Sequence, residues 1–324
     1  MNLDAPIIGI DIGGANTKIA SLDTRIAELH YIPMWKDTSL PLKLKEIAQR
    51  LSPSKSGVVM TGELADCFSD KEEGIRFIMD AVDAAFPNAL YLNNKGEFIN
   101  GDRDIRSLAA ANWTASALVA GKEEDCIFVD LGSTTTDLIP VKNGTSLAGE
   151  TDFKRLGRHE LLYRGILRTN IATLMSMINL GQNQYRVSSE LFAQTADVHL
   201  LLGNIKPEDY TCDTPDGYGK TIAEAARRLA RVVCADTSEL DNKEIMIMAS
   251  QIYERQRNEL AEAMNILASK YGINKIVGAG LGEFLIEDAA RHARLACTLL
   301  SDIYGTAISK VFPAYAVAYL LNEV

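Results

Sequence analysis

The stretch "GIDIGGANTKIA", residues 9–20, decides how the chain is read. An apolar strand runs into an acid, Asp11, passes through Gly13 and Gly14, and resumes with Asn16, Thr17 and Lys18 before turning apolar again. A strand meant only for a core would stay apolar. Strand, glycine turn and returning strand together form a hairpin signature. The same order recurs in "FVDLGSTTTDLIP", residues 128–140, where Asp130, Gly132, Ser133, Thr134, Thr135 and Asp137 take matching places. Aligning the two acids gives an offset of 130 − 11 = 119 residues, an internal repeat of architecture.

Working outward, strands are predicted at 7–12, 17–23 and 26–32, followed by a helix at 40–51, a strand at 57–62, a helix at 71–86 and a strand at 89–93. A helix of small residues over 104–120 leads into the second copy, with strands at 126–131 and 135–141 and a further hairpin near 144–150. Longer helices are predicted near 188–201, 221–235 and 242–270. A strand at 275–280 opens into another helix, and "PAYAVAYLLNE" closes as a helix with Pro313 in its first turn. The pattern is α/β in two halves, 1–122 and 123–311, with a packed border within 115–125 and a last helix, 312–324, that returns to the first half.

The chain has 324 residues, 47% of them hydrophobic, enough for about two domains. A net charge of −10 argues against a grip on nucleic acid or anionic lipid, which needs clustered basic residues. Five widely spaced cysteines with no Cys-x-x-Cys pair fit a reducing cytoplasm. The apolar run from Pro6 to Ile12 is short, lacks a basic flank and is cut by Asp11, so neither a leader nor a membrane anchor is expected.

Glycine turns leave backbone amides open to an approaching oxyanion, because no Cβ stands in the way and positive φ is tolerated. Thr17, Ser133, Thr134, Thr135 and Thr136 add hydroxyl donors and Lys18 a charge, unless strand alternation turns it to solvent; the set suits phosphate. Asp11, Asp130 and Asp137 interrupt or follow strands that should be buried. A single Asp-x-Gly is usually a turn former, but two copies in equivalent places favour a carboxylate cluster that needs a cation, with magnesium the natural one. The third glycine cluster, "VGAGLGEFLIE" at 277–287, reads equally as a tight strand-to-helix turn or as an anion or ring site at a helix start.

"GIDIGGANTK", "VDLGSTTTD" and "VGAGLGE", in this order, resemble the two phosphate loops and the adenosine loop of the acetate and sugar kinase, heat-shock chaperone and actin superfamily. "MTGELADCFSDKEEGI" (60–75), "AAANWTASA" (109–117), "LGRHELLYRGILRT" (156–169), "GKTIAEAARRLARVVCAD" (219–236) and "IYGTAISKVFPAYAVAYLL" (303–321) are similar to hydantoinase/oxoprolinase-related proteins of tetrahydromethanopterin-linked one-carbon metabolism. The resemblance implies two ribonuclease-H-like domains of the actin-like ATPase fold with a cleft between them. It places Asp11, Gly13, Gly14, Asn16 and Thr17 on the first phosphate loop. The second takes Asp130, Gly132, Ser133, Thr134, Thr135 and Asp137, and the nucleotide-like loop Gly278, Gly280 and Gly282. The implied activity is of the methanofuran-biosynthesis synthase type. An aminomethylfuran-methyl diphosphate is joined to the phenol of γ-glutamyltyramine and diphosphate is released, with magnesium as cofactor. The alternative is an ATP-dependent small-molecule kinase or an oxoprolinase-like hydrolase using ATP on the same loops.

Such a phenol needs a base. Glu63, at the C-terminal edge of strand 57–62, is the first candidate and His159 the second. Glu63 reads equally as an acid at a helix start. Arg158 is taken from the run Arg155, Arg158, Arg164 and Arg168 to meet an anionic group, while a solvated helix face is the ordinary explanation. Asn112 and Trp113 are read as a substrate contact, against a buried core tryptophan. Arg227 and Arg228 read as ordinary helix charges.

Overall fold

The computed structural model describes residues 5–35, 39–100 and 104–324. The first half contains β1 (Ile7–Gly13), β2 (Asn16–Ser21), β3 (Ala27–Tyr31), α1 (Leu40–Leu51), β4 (Lys55–Thr61), α2 (Lys71–Ala85), β5 (Leu90–Leu92), β6 (Phe98–Ile99) and α3 (Asn112–Ala120). The second half begins with β7 (Cys126–Leu131), β8 (Thr136–Lys142), β9 (Thr145–Ser146), α4 (Asp152–Leu156) and β10 (Leu161–Leu162). It continues through a hairpin, β11 (Met177–Leu180) and β12 (Asn183–Arg186), to helices α5 (Thr195–Leu201), α6 (Ile222–Arg231) and α7 (Asn242–Tyr271). The chain finishes with β13 (Lys275–Ala279), α8 (Glu283–Ala293), β14 (Ala296–Leu299), α9 (Leu300–Tyr304), α10 (Thr306–Lys310) and α11 (Phe312–Asn322).

Two sheets result. The first has the order β3-β2-β1-β4-β5-β6 and the second β10-β8-β7-β13-β14, with β9 on the edge of β8. Each is built alike: an antiparallel hairpin, β1-β2 or β7-β8, is extended by a parallel strand, β4 or β13, beside its first member. Parallel neighbours need crossovers, which is why helices fill the intervals. Between the sheets lies one apolar layer that draws Val59 and Leu92 from the first sheet, Phe128 and Ile139 from the second, and Trp113 and Val317 from α3 and α11.

The last helix approaches the first sheet through small residues. Gly9 and Gly57 are register partners on β1 and β4, and a Cβ on Gly9 would stand 1.9 Å from the Ala314 carbonyl oxygen of α11. Val317 fills the corresponding space over Gly57. Both glycines serve close approach, since neither has positive φ.

Three expectations are corrected. The helix expected over 104–120 is a 3-10 turn, Ile105–Leu108, then Ala110 at φ 49°, and only then α3. The left-handed residue separates the two turns and brings Ala110 and Asn112 to the cleft between the halves. The helix expected over 188–201 shrinks to α5. Gln194 caps it, exchanging hydrogen bonds with Asp197 in a capping box, so the segment before Gln194 cannot continue the helix. Arg228 is no surface charge: it is fully buried and bonds Asp197 at 2.8 Å and Asp216 at 3.0 Å. Among the described residues no helix is long and apolar enough to cross a membrane.

The Gly9→Ala chain is expected to lose about 1–3 kcal/mol of stability, because backbone must move to admit the methyl. Urea unfolding checks this, with Gly144→Ala as comparison: Gly144 has φ +70° but open space around it, so its loss is conformational only, about 1–2 kcal/mol.

Candidate active site

The two glycine turns converge. Asn16 of the first donates from Nδ2 to the Ser133 hydroxyl of the second at 3.2 Å. Around this bridge lies a cleft of about 360 Å³ lined by Gly13, Gly14, Lys18, Gly132, Thr134 and Thr135, together with Asp11, Asp130 and Asp137. None of Gly13, Gly14 and Gly132 has positive φ. What they contribute is the missing Cβ, not an unusual backbone. Thr17, expected as a donor, is fully buried, has no hydroxyl partner among the described residues and does not line the cleft, and Thr136 donates its hydroxyl to the Arg164 carbonyl at 2.7 Å instead.

Hairpin register sets the charges. Asp11 faces Lys18 across β1-β2, and Asp130 faces Asp137 across β7-β8. The repeat offset that carries Asp11 to Asp130 also carries Lys18 to Asp137, since 137 − 18 = 119. One half thus pairs acid with base, the other acid with acid. The missing cation comes from α4: Arg155, buried, bonds Asp137 at 2.5 Å and Asp152 at 2.6 Å, with its guanidinium 5.0 Å from the centre of the Trp113 ring. Lys18 lies 3.3 Å from Asp11.

Burial dominates the titration of this cluster. It pushes the Asp11 carboxyl up, with Lys18 pulling it back down. Asp130 is pushed up to about 6, first by burial and then by the neighbouring carboxylates, against Lys18. Asp137 is raised by burial despite Arg155. For Lys18, burial alone would lower the pKa, but Asp11, Asp130 and Asp137 outweigh it and raise it. Among the described residues, Oδ1 of Asp11 and Oδ1 of Asn16 are buried without a hydrogen-bond partner. Unpartnered hard oxygens beside raised carboxylates are a fit for a small divalent cation. Among the described residues no three carboxylate, histidine or cysteine side chains form a metal cage by themselves, so such an ion would share its shell with water and ligand oxygens.

Glu63 sits in the turn after β4. Gly74 of α2 lets its backbone lie flat on that helix, for a Cβ there would be 2.2 Å from the Glu63 carbonyl oxygen. The side chain is 2% exposed, lines the cleft, and has no partner for Oε2 among the described residues. Burial pushes it up to about 7, with Lys71, 4.0 Å away, pulling weakly down.

Asn112 lines the cleft, whereas Trp113 is core packing beneath Arg155. Arg158 and His159 are exposed and line nothing here. The third loop also stays out. Cβ atoms on Gly278, Gly280 and Gly282 would meet Ile286, Asp130 and Leu131 respectively, and Gly282 N–H bonds the Leu131 carbonyl at 3.0 Å. Those glycines let the loop buttress the strand end that carries Asp130. Sequence reasoning missed Trp35 and Tyr163 on the cleft wall, and left Arg155 and Arg168 unassigned within the arginine run.

Two hairpin-led sheets meeting at paired glycine turns define the actin-like ATPase fold. A solved relative in fold is the ROK family glucokinase from Streptomyces griseus in complex with glucose and AMPPNP, at TM-score 0.50 and 12% identity over 98% of this chain and 99% of that one. Residues 54–324 match the hydantoinase/oxoprolinase family model, and the chain belongs to that family. A protein of Methanocaldococcus jannaschii named (4-{4-[2-(gamma-L-glutamylamino)ethyl]phenoxymethyl}furan-2-yl)methanamine synthase is 38% identical over 327 residues, covering 98% of both chains. Its namesake from Methanococcus vannielii is 36% identical over 205 residues, 62% of this chain and 92% of that protein.

For Glu63 the folded state holds its proton up to about pH 7, the unfolded state only to 4.5. The folded chain therefore binds the extra proton, and stability falls as pH rises through this window, by up to roughly 3 kcal/mol. Thermal melts from pH 4.5 to 8 are expected to show the decline, and Glu63→Gln to flatten it.

Proposed function

We propose that the chain is a transferase of methanofuran-type cofactor biosynthesis. It condenses an aminomethylfuran-methyl diphosphate with the phenol of γ-glutamyltyramine, forming an aryl ether and releasing diphosphate. The observation that carries this reading is the Asn16–Ser133 meeting of two donor-rich turns beside buried carboxylates, in a chain 38% identical, over nearly its whole length, to a synthase whose printed name describes such an ether.

The chemistry asks little of a nucleophile and much of the leaving group. The furan oxygen delocalises charge as the methylene C–O bond breaks, and the electron pair leaves with diphosphate. Amides and hydroxyls of the two turns receive that growing charge; losing one well-aimed donor typically costs about 3 kcal/mol. The phenol oxygen attacks the methylene carbon, and its proton passes to Glu63. A carboxylate poised near neutrality is suited to that transfer. Asp11 and Asp130 would hold magnesium, which supplies charge neutralisation for the diphosphate when bound. Asp137 is committed to Arg155 and takes the part of an orienting partner. Five free, widely spaced cysteines support a cytoplasmic setting.

Supplying the furan diphosphate, γ-glutamyltyramine and magnesium should yield the ether and diphosphate, read by mass spectrometry, with no ADP formed when ATP is added. ADP formation without ether would replace this reading with the kinase or hydrolase alternative. Asp11→Ala and Asp130→Ala are expected to abolish magnesium-dependent turnover while circular dichroism remains that of the folded chain.

A further inference from the structure

Trp35 and Arg168 belong to different halves, and each is fastened to a different glycine turn. Beside Trp35, Met34 N–H bonds the Gly14 carbonyl at 3.0 Å. Arg168 N–H and its neighbour Leu167 N–H both bond the Ser133 carbonyl, each at 3.0 Å. Their side chains meet across the gap, with the Arg168 guanidinium carbon 4.5 Å from the centre of the Trp35 ring, and both line the cleft.

The other cleft cations are already engaged, Lys18 with Asp11 and Arg155 with Asp137 and Asp152. Among the described residues Arg168 has no carboxylate partner, and its side chain makes no hydrogen bond. A guanidinium resting its face on an indole keeps its N–H donors, which lie in the guanidinium plane, free at the edge. Two parallel N–H groups of that fork match two oxygens of a phosphate. Here the fork is fixed between the two turns that would cradle such a group, in a site whose carboxylates otherwise oppose an anion.

We infer that Arg168 grips the departing diphosphate and that Trp35 is a positioning residue, holding the guanidinium over the gap between the turns. This rests on the proposed reading of the site and adds the cation which that reading lacks. As the C–O bond breaks and its electron pair stays on the diphosphate, Arg168 pairs with the new charge without first breaking an ion pair of its own.

The test is calorimetric titration of the full chain with inorganic diphosphate and magnesium, alongside steady-state turnover. Arg168→Gln is expected to weaken diphosphate binding about 10- to 100-fold and to lower kcat. Arg168→Lys, which keeps the charge but loses the fork, should fall between. Trp35→Phe should retain most of the affinity and Trp35→Ala should lose it, with melting temperatures confirming that each variant folds. Diphosphate should also change the emission of the wild-type chain, and that change should vanish in Trp35→Phe, a signature that a merely structural contact would not give. Wild-type binding that is undiminished in Arg168→Gln overturns this inference and leaves the reading of the site standing. A wild-type chain that binds no diphosphate overturns both.

Discussion

Three carboxylates, Asp11, Asp130 and Asp137, are carried on buried strands into one cleft, and each must be balanced or left protonated. A buried charge without a partner costs about 3–5 kcal/mol. The first half answers within its own hairpin, with Lys18 opposite Asp11. The second half has an acid in the equivalent place and must import Arg155 from α4, which fixes where that short helix lies and what Trp113 packs against. Among the described residues Asp130 has no ion pair, and so remains the carboxylate of the three most open to an outside cation.

The same constraint explains the glycine pattern of the third loop. Gly280, at φ +99°, allows the loop to press against Asp130, where any side chain would collide with the carboxylate. A motif that reads as a ligand site in the sequence thus has a packing explanation in the fold. Glu63 shows the converse: its neighbours in sequence suggest a helix-start acid, yet α2 begins at Lys71 and Glu63 is enclosed in the cleft wall.

Much of the fold was legible because it rests on local periodicity. β1, β2, β4, β7, β8 and β13, and the helices α1, α2 and α7, fall within a few residues of their expected places. The paired turns were legible for the same reason, since an acid followed by glycines at the end of an apolar strand is a local anomaly. What stayed hidden was non-local. Nothing near Arg155 reveals that its partner is Asp137, and nothing near Trp35 points to Arg168. Ala110 carries no mark of its left-handed backbone, so the alanine run read as one helix. The hairpin Met177–Arg186 was overlooked although Gly181, at φ +59°, stands at its turn.

The contact between Gly9 and Ala314 joins residues 314 − 9 = 305 positions apart. The first sheet therefore receives one of its covering helices, α11, only when the chain has been made past residue 314 and the intervening second half has folded back. Such distant pairing slows folding, because loop entropy is lost before the contact forms. It also means that an excised fragment ending near residue 122 would expose the apolar faces of β1, β2 and β4 to water. The early lobe is therefore no independent module, and its maturation is tied to that of its neighbour.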